Sequence, residues 1–194
     1  IVLFQLIVAS LASYGFARYS GKLRSLVFFS YVILMLMPYQ VTLVPNYLVA
    51  EKLNILNTYW AIWLPGIFSP FAVYLLTKFM KRIPVGVMEA AQIDGASKFQ
   101  QFWFITVPHI KIVVGLLVVL RTIWVFNNFD IIYLLTGGGP ANATTTMPIY
   151  AYNMGWNTKL LGRSSAVTML LLAFLLLVCV VYFTIIAKWE KEDK

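Results

Sequence analysis

Four residues within one apolar stretch have types and spacing that could bind a small polar molecule. Arg121, Trp124, Val125 and Asn128 fall at i, i+3, i+4 and i+7, one face if the stretch is helical. Arg121 lies roughly ten residues, or ~15 Å, into the stretch. A charge at that depth in a bilayer costs at least ~2.5 kcal/mol, so the guanidinium should face protein or water. Asn127 and Asp130 add donors and acceptors nearer the far end. Bidentate polar groups suit hydroxyls, and an indole suits a C–H face, so the stripe fits a hydrated sugar in a midplane cavity. The competing reading is that Arg121 and Asp130 tie helices together. At nine residues apart, ~13.5 Å on a helix, they cannot pair with each other. Both readings stay open here.

The second candidate is residues 84–108, PVGVMEAAQIDGASKFQQFWFITVP. Pro84 suits a first helical position, and Met88, Glu89, Ala90 and Ala91 favour a short helix over 85–93. Asp94 and Gly95 suit a turn. A second helix should follow, with Phe99, Phe102 and Trp103 as an apolar stripe and Pro108 as its end. Two short helices with a tight turn and one apolar face read as a docking element; a surface loop resting on lipid headgroups is the plainer alternative.

What must position these residues is a membrane bundle. Of 194 residues, 61% are hydrophobic and 11% charged, with a mean hydropathy of +0.81. Fifteen basic and seven acidic residues cannot coat a soluble domain of this size. Five apolar runs, about 1–16, 26–49, 59–79, 110–135 and 166–187, are long enough to span ~30 Å of hydrocarbon. Pro38, Pro45, Pro65 and Pro70 lie inside them, which a transporter or channel wall tolerates better than a lone anchor does. Gly137-Gly138-Gly139-Pro140 should stop the fourth span.

Charge sets an orientation. Arg18, Lys22, Arg24, Lys78, Lys81, Arg82, Lys98, Lys111, Lys188, Lys191 and Lys194 share one side if the spans alternate, against Lys52, Lys159 and Arg163 on the other. The richer side is then cytoplasmic, and the C-terminus with it. The net charge of +8 is thus spent at span ends, which argues against nucleic acid as a partner. Tyr150, Tyr152 and Trp156 on the long external loop suit an interface, as do Trp60, Trp63 and Trp189. The lone Cys179 and lone His109 offer no disulfide or metal cluster, and no cofactor is expected. The chain opens at Ile1 inside an apolar run, without the flanks of a signal peptide, so a truncated start is expected.

The spacing Glu89-Ala90-Ala91, three residues, Gly95, nine residues, Ile105, one residue, Val107-Pro108 resembles the EAA loop of importer-type ABC permeases, with Val107 where leucine is usual. Asp94-Gly95-Ala96 is similar to the sugar-importing version. Residues 12–18 are similar to the end of the family's second helix, so the first helix would be missing from a core of six. Met37-Pro38 and Asn57-Thr58-Tyr59-Trp60, on to Pro84, resemble the shorter maltose-type subunit. The stretch from Arg121 to Asp130, with 134–140, resembles its partner, so the chain reads as a mosaic of both.

The resemblance implies an all-α, polytopic helical bundle, a single permease domain over 1–194 with a coupling loop at 84–108. It implies ATPase coupling through Glu89, Ala90, Ala91, Asp94, Gly95 and Pro108, and a sugar site at Arg121, Trp124, Val125 and Asn128, more weakly Asn127 and Asp130. Implied partners are a second permease subunit, two copies of a cytoplasmic ATPase and an external substrate-binding protein, in a bacterial or archaeal inner membrane. The chain has no GxxxxGK[ST] phosphate loop, so ATP hydrolysis would belong to a partner. Three alternatives remain: a secondary transporter or channel, for which Asp130 is the only carboxylate in any span; a permease of the same family for another solute; and a membrane-embedded enzyme, which would want clustered His, Asp or Glu.

Overall fold

Proline and asparagine divide the apolar runs into more pieces than hydropathy alone suggests. The computed structural model describes residues 1–192; Lys194, one of the eleven cytoplasmic cations expected above, lies outside them. Helix α1 is Val2–Arg18, and α2 is Lys22–Leu36. The run expected at 26–49 is broken: Pro38 lacks an N–H and holds Met37 extended at φ −72°, ψ 133°. A 3-10 turn at Tyr39–Thr42 leads into α3, Leu43–Lys52, and the two arms bend by 108°. Pro45 sits in the first turn of α3, where no N–H partner is needed.

The third run is two helices, α4 at Tyr59–Ile67 and α5 at Pro70–Met80. Ser69 caps α5 by accepting a hydrogen bond from the Ala72 N–H at 3.3 Å, with Pro70 at the first position. Next come α6, Val85–Ile93, and α7, Lys98–Gln100. A π-helical stretch at Gln101–Thr106 joins α7 to α8, Val107–Phe126, so Lys98–Phe126 is one helix of 29 residues.

The fourth span, expected at 110–135, therefore starts earlier and stops earlier than the hydropathy implies. It ends at Phe126, where the Asn127 side-chain amide and backbone N–H both donate to the Ile123 carbonyl, at 2.9 and 3.1 Å, local bonding of the kind that makes Asn a poor helix former. A short α9, Asp130–Thr136, begins afresh with Asp130 in its first turn, where a carboxylate complements the helix dipole. Helix α10, Met147–Tyr152, continues through a π-helical turn at Asn153–Asn157, and α11 is Leu161–Glu192.

The chain forms two compact units. In the unit of residues 3–37 and 68–118, Val73, Leu76 and Met80 of α5 meet Ile110, Val113 and Leu117 of α8, with Ala9 of α1 and Ala72 small enough for close approach. The buried Ser13 hydroxyl donates to the Val73 carbonyl at 2.9 Å, and Thr77 donates to the same oxygen at 2.6 Å. Both hydroxyls are thereby satisfied without water.

In the unit of residues 1–2, 38–67 and 119–194, Ala50, Ala61, Ile62, Ile131, Ile132, Leu135 and Ile149 form the core. The glycine run follows α9 and is itself tightly held. A Cβ on Gly138 would stand 2.6 Å from the Thr145 hydroxyl, and one on Gly139 2.4 Å from the Asn57 side-chain oxygen. Thr144 donates to the Gly139 carbonyl at 2.6 Å.

By length and composition, three helices among the described residues could cross a membrane: Tyr59–Met80, Lys98–Phe126 and Leu161–Trp189. The bent pair Lys22–Leu36 with Tyr39–Lys52 would be a fourth, and Val2–Arg18 is a shorter apolar helix. The five expected runs thus correspond to five helical segments, three of them interrupted.

Candidate functional sites: a capped hairpin and a polar cluster

The hairpin at 84–108 is closed by backbone geometry. At the end of α6 the Ala96 N–H donates to the Ala91 carbonyl at 2.8 Å and the Gly95 N–H to Gln92 at 3.1 Å, the paired pattern that terminates a helix through a left-handed residue. Gly95 is that residue, with φ +84°, a conformation that costs an L side chain about 1–2 kcal/mol. Two residues later Ser97 caps α7: its hydroxyl accepts from the Gln100 N–H at 3.2 Å, and the Gln100 side chain accepts from the Ser97 N–H at 2.8 Å. The Gln101 amide donates to the Ala96 carbonyl at 2.9 Å. One helix is thus finished and the next begun within four residues. Gly95 was foreseen; Ser97 and Gln100 were missed, although Ser-x-x-Gln directly after the turn is a capping signal.

The expected second helix differs in two respects. Pro108 does not end it: the π-helical stretch shifts the hydrogen-bond register just before the proline, and the helix runs on into α8. Nor do the three aromatics share one face. Phe102 is buried edge-on against Tyr14, centroids 5.2 Å apart, while Phe99 and Trp103 are 71% and 50% exposed. Met88 anchors α6 from below, and Glu89, Ala90, Asp94, Gly95 and Pro108 all face outward, with Ala91 half-buried. An open groove of about 280 Å³ runs beside the turn between Asp94, Gly95, Ala96, Gln100, Gln101, Phe104 and Ile105.

The stripe at 121–128 is only partly a helix face, because α8 ends at Phe126 and Asn128 lies in the break beyond it. Arg121 is half-buried, with its guanidinium 5.4 Å from the Trp124 ring centroid; Trp124 is 64% exposed. Val125 is half-buried, and its carbonyl accepts from the Asn128 N–H at 3.3 Å. The Tyr39 hydroxyl lies close to the Asn128 side chain, and Arg121 and Asp130 are both near enough to act on it electrostatically. Tyr39 therefore gathers Arg121, Asn128 and Asp130 into one polar cluster. Nothing in the local sequence marks Tyr39 for this role; only the turn after Pro38 brings it there.

Asn127 has a different setting, capping the end of α8 and lining an apolar groove of about 480 Å³ with Ile123, Pro148, Thr168, Leu171 and Cys179. Beyond α9, Phe129, Tyr133, Tyr152 and Trp156 form an aromatic ladder with centroids 5.0–6.3 Å apart. Loss of hydration and contact with Tyr133 hold the Tyr152 phenol above its ordinary pKa. Among the described residues no group of three or more His, Cys, Asp or Glu is placed to hold a metal.

Apolar helices of membrane length, a break carrying a polar cluster, and a rigid hairpin with outward-facing small and acidic residues define a polytopic membrane component. The chain belongs to the family of binding-protein-dependent transport system inner membrane components, whose model matches residues 5–190. It is 39% identical over 123 residues to a probable ABC transporter permease of Brucella suis biovar 1, covering 63% of this chain and 43% of that protein. It is 42% identical over 117 residues to the trehalose/maltose transport system permease protein MalF of Thermococcus litoralis, covering 60% and 39%. With the lactose transport system permease protein LacG of Rhizobium radiobacter it shares 29% identity over 177 residues, covering 87% and 63%. The chain thus spans less than two thirds of the length of each. The fold matches that of a chain in the crystal structure of a bacterial alginate ABC transporter, with a TM-score of 0.68 at 18% identity, covering 93% of this chain and 70% of that one.

Proposed function

We propose that this chain forms half of the translocation pathway of an ATP-driven, binding-protein-dependent sugar importer. The observation that carries the proposal is the hairpin. A left-handed glycine and a reciprocal serine–glutamine cap hold Glu89, Ala90, Asp94 and Gly95 outward, with Ala91 half-buried, on a capped turn, which suits seating in a cleft of a cytoplasmic ATPase subunit. The family supplies the membrane component, and ATP hydrolysis falls to two copies of that separate subunit. A second permease subunit completes the pathway, and an external binding protein delivers the substrate. The setting is a bacterial or archaeal cytoplasmic membrane, with the C-terminus inside.

Motion of the docked hairpin enters the membrane directly, because α7 and α8 are one helix and Arg121 stands 23 residues beyond Lys98 on it. The cluster of Tyr39, Arg121, Trp124, Asn128 and Asp130 offers hydroxyl-binding groups beside an exposed indole, the chemistry a sugar needs. The names of the trehalose/maltose and lactose relatives support a carbohydrate substrate.

The test is co-purification of the assembled transporter carrying Gly95→Pro or Glu89→Lys. Both substitutions should abolish association with the ATPase subunit. Retained association in both would refute the docking assignment.

A further inference from the structure

Away from both sites, Arg18 at the end of α1 and Arg24 in the first turn of α2 carry nitrogens that nothing among the described residues satisfies. The Arg18 Nη1 donates to the Ile83 carbonyl at 3.5 Å, while its Nε and Nη2 are buried without an acceptor. The Arg24 Nη1 donates to the carbonyls of Phe16, at 2.6 Å, and Tyr19, and its Nε is likewise buried without an acceptor. Buried N–H groups are nearly always paired, so three orphans on Arg18 and Arg24 call for oxygen acceptors beyond the described residues.

The surroundings favour an anion. Lys81 lies 5.5 Å over the Phe28 ring, which packs 5.4 Å from Phe16, and Arg82 precedes Ile83. Among the described residues none of these four cations meets a carboxylate. The surroundings also favour a lipid over a free ion. Helix α2, whose first turn holds Arg24, buries no side chain fully and leaves Leu23, Leu26 and Phe29 58–76% exposed.

We propose that Arg18 and Arg24 bind the phosphate of an anionic phospholipid headgroup, with an acyl chain lying along the apolar face of α2. A guanidinium fork matches a phosphate's oxygens in pairs, and Lys81 and Arg82 add the attraction that separates an anionic lipid from a zwitterionic one. Because Arg18 also holds the carbonyl of Ile83, next to Pro84, an occupied site steadies the root of the hairpin. Placing the site in the cytoplasmic leaflet rests on the orientation proposed above; the lipid binding itself does not.

Native mass spectrometry of the delipidated, assembled transporter, titrated with phosphatidylglycerol or phosphatidylcholine, tests this without substrate or ATP. The Arg18→Gln/Arg24→Gln pair should weaken phosphatidylglycerol binding by roughly tenfold or more and leave phosphatidylcholine unchanged. Arg18→Lys, which keeps the charge and loses the fork, should fall between, with retained ATPase association showing that the hairpin is intact. Unchanged phosphatidylglycerol binding in the double variant would overturn the proposal. So would equal loss of both lipids, or displacement of phosphatidylglycerol by equimolar inorganic phosphate. None of these outcomes bears on whether the chain imports sugar, so the two readings fail separately.

Discussion

Tyr39 and Arg121 show how much of a site one residue can decide. The Arg121 spacing was visible in the sequence because a charge inside an apolar run must be explained. Tyr39, 82 residues earlier, was not, since an interfacial tyrosine after a proline carries no sign of the asparagine it will meet. Its hydroxyl stands beside Asn128, Arg121 and Asp130, so it helps shape the cluster. Removing a neutral hydrogen bond costs about 1 kcal/mol and removing one to a charged group about 1.5–3 kcal/mol. Tyr39→Phe should therefore lower uptake of radiolabelled sugar by roughly fivefold below saturation, and Arg121→Gln by roughly ten- to a hundredfold. The amount of assembled transporter, read on a gel, should not change in either. Full uptake in both variants would remove the cluster from the substrate path.

At the scale of elements, the sequence read α6 and its glycine turn correctly, because capping and turn chemistry are local. It misplaced the ends of the fourth span, because hydropathy does not register where a backbone hydrogen bond changes partner. Asn127 and Asn128 sit inside an unbroken apolar run yet end α8, while Pro108, a usual stop, is absorbed by the π-helical stretch before it. That stretch also separates aromatics that a 3.6-residue period would have aligned. Phe102→Ala should destabilise the protein by about 3 kcal/mol, since its ring is buried against Tyr14. Phe104→Ala, at a side chain 77% exposed, should stay within about 0.5 kcal/mol but weaken ATPase association. Thermal unfolding and co-purification of each variant separate the two effects; equal destabilisation by both would mean the π-helical register is wrong.

At the scale of the whole molecule, composition alone identified the solvent. Leu161–Trp189 has a mean hydropathy of 3.0 in its most apolar window, 6% of it buried, so lipid or a partner must cover the rest. The division into two units was not legible, because both are built from the same apolar alphabet and differ in which distant helices they join. In the proposed importer the hairpin at 84–108 links membrane and energy source, and its fate in the assembled complex decides the account. The direct measurement is labelling of a cysteine introduced by Glu89→Cys, in a Cys179→Ser background, with a membrane-impermeant maleimide in inside-out vesicles. The account predicts rapid labelling of the permease alone and strong protection once the ATPase subunit is bound. Equal labelling with and without the ATPase would contradict it.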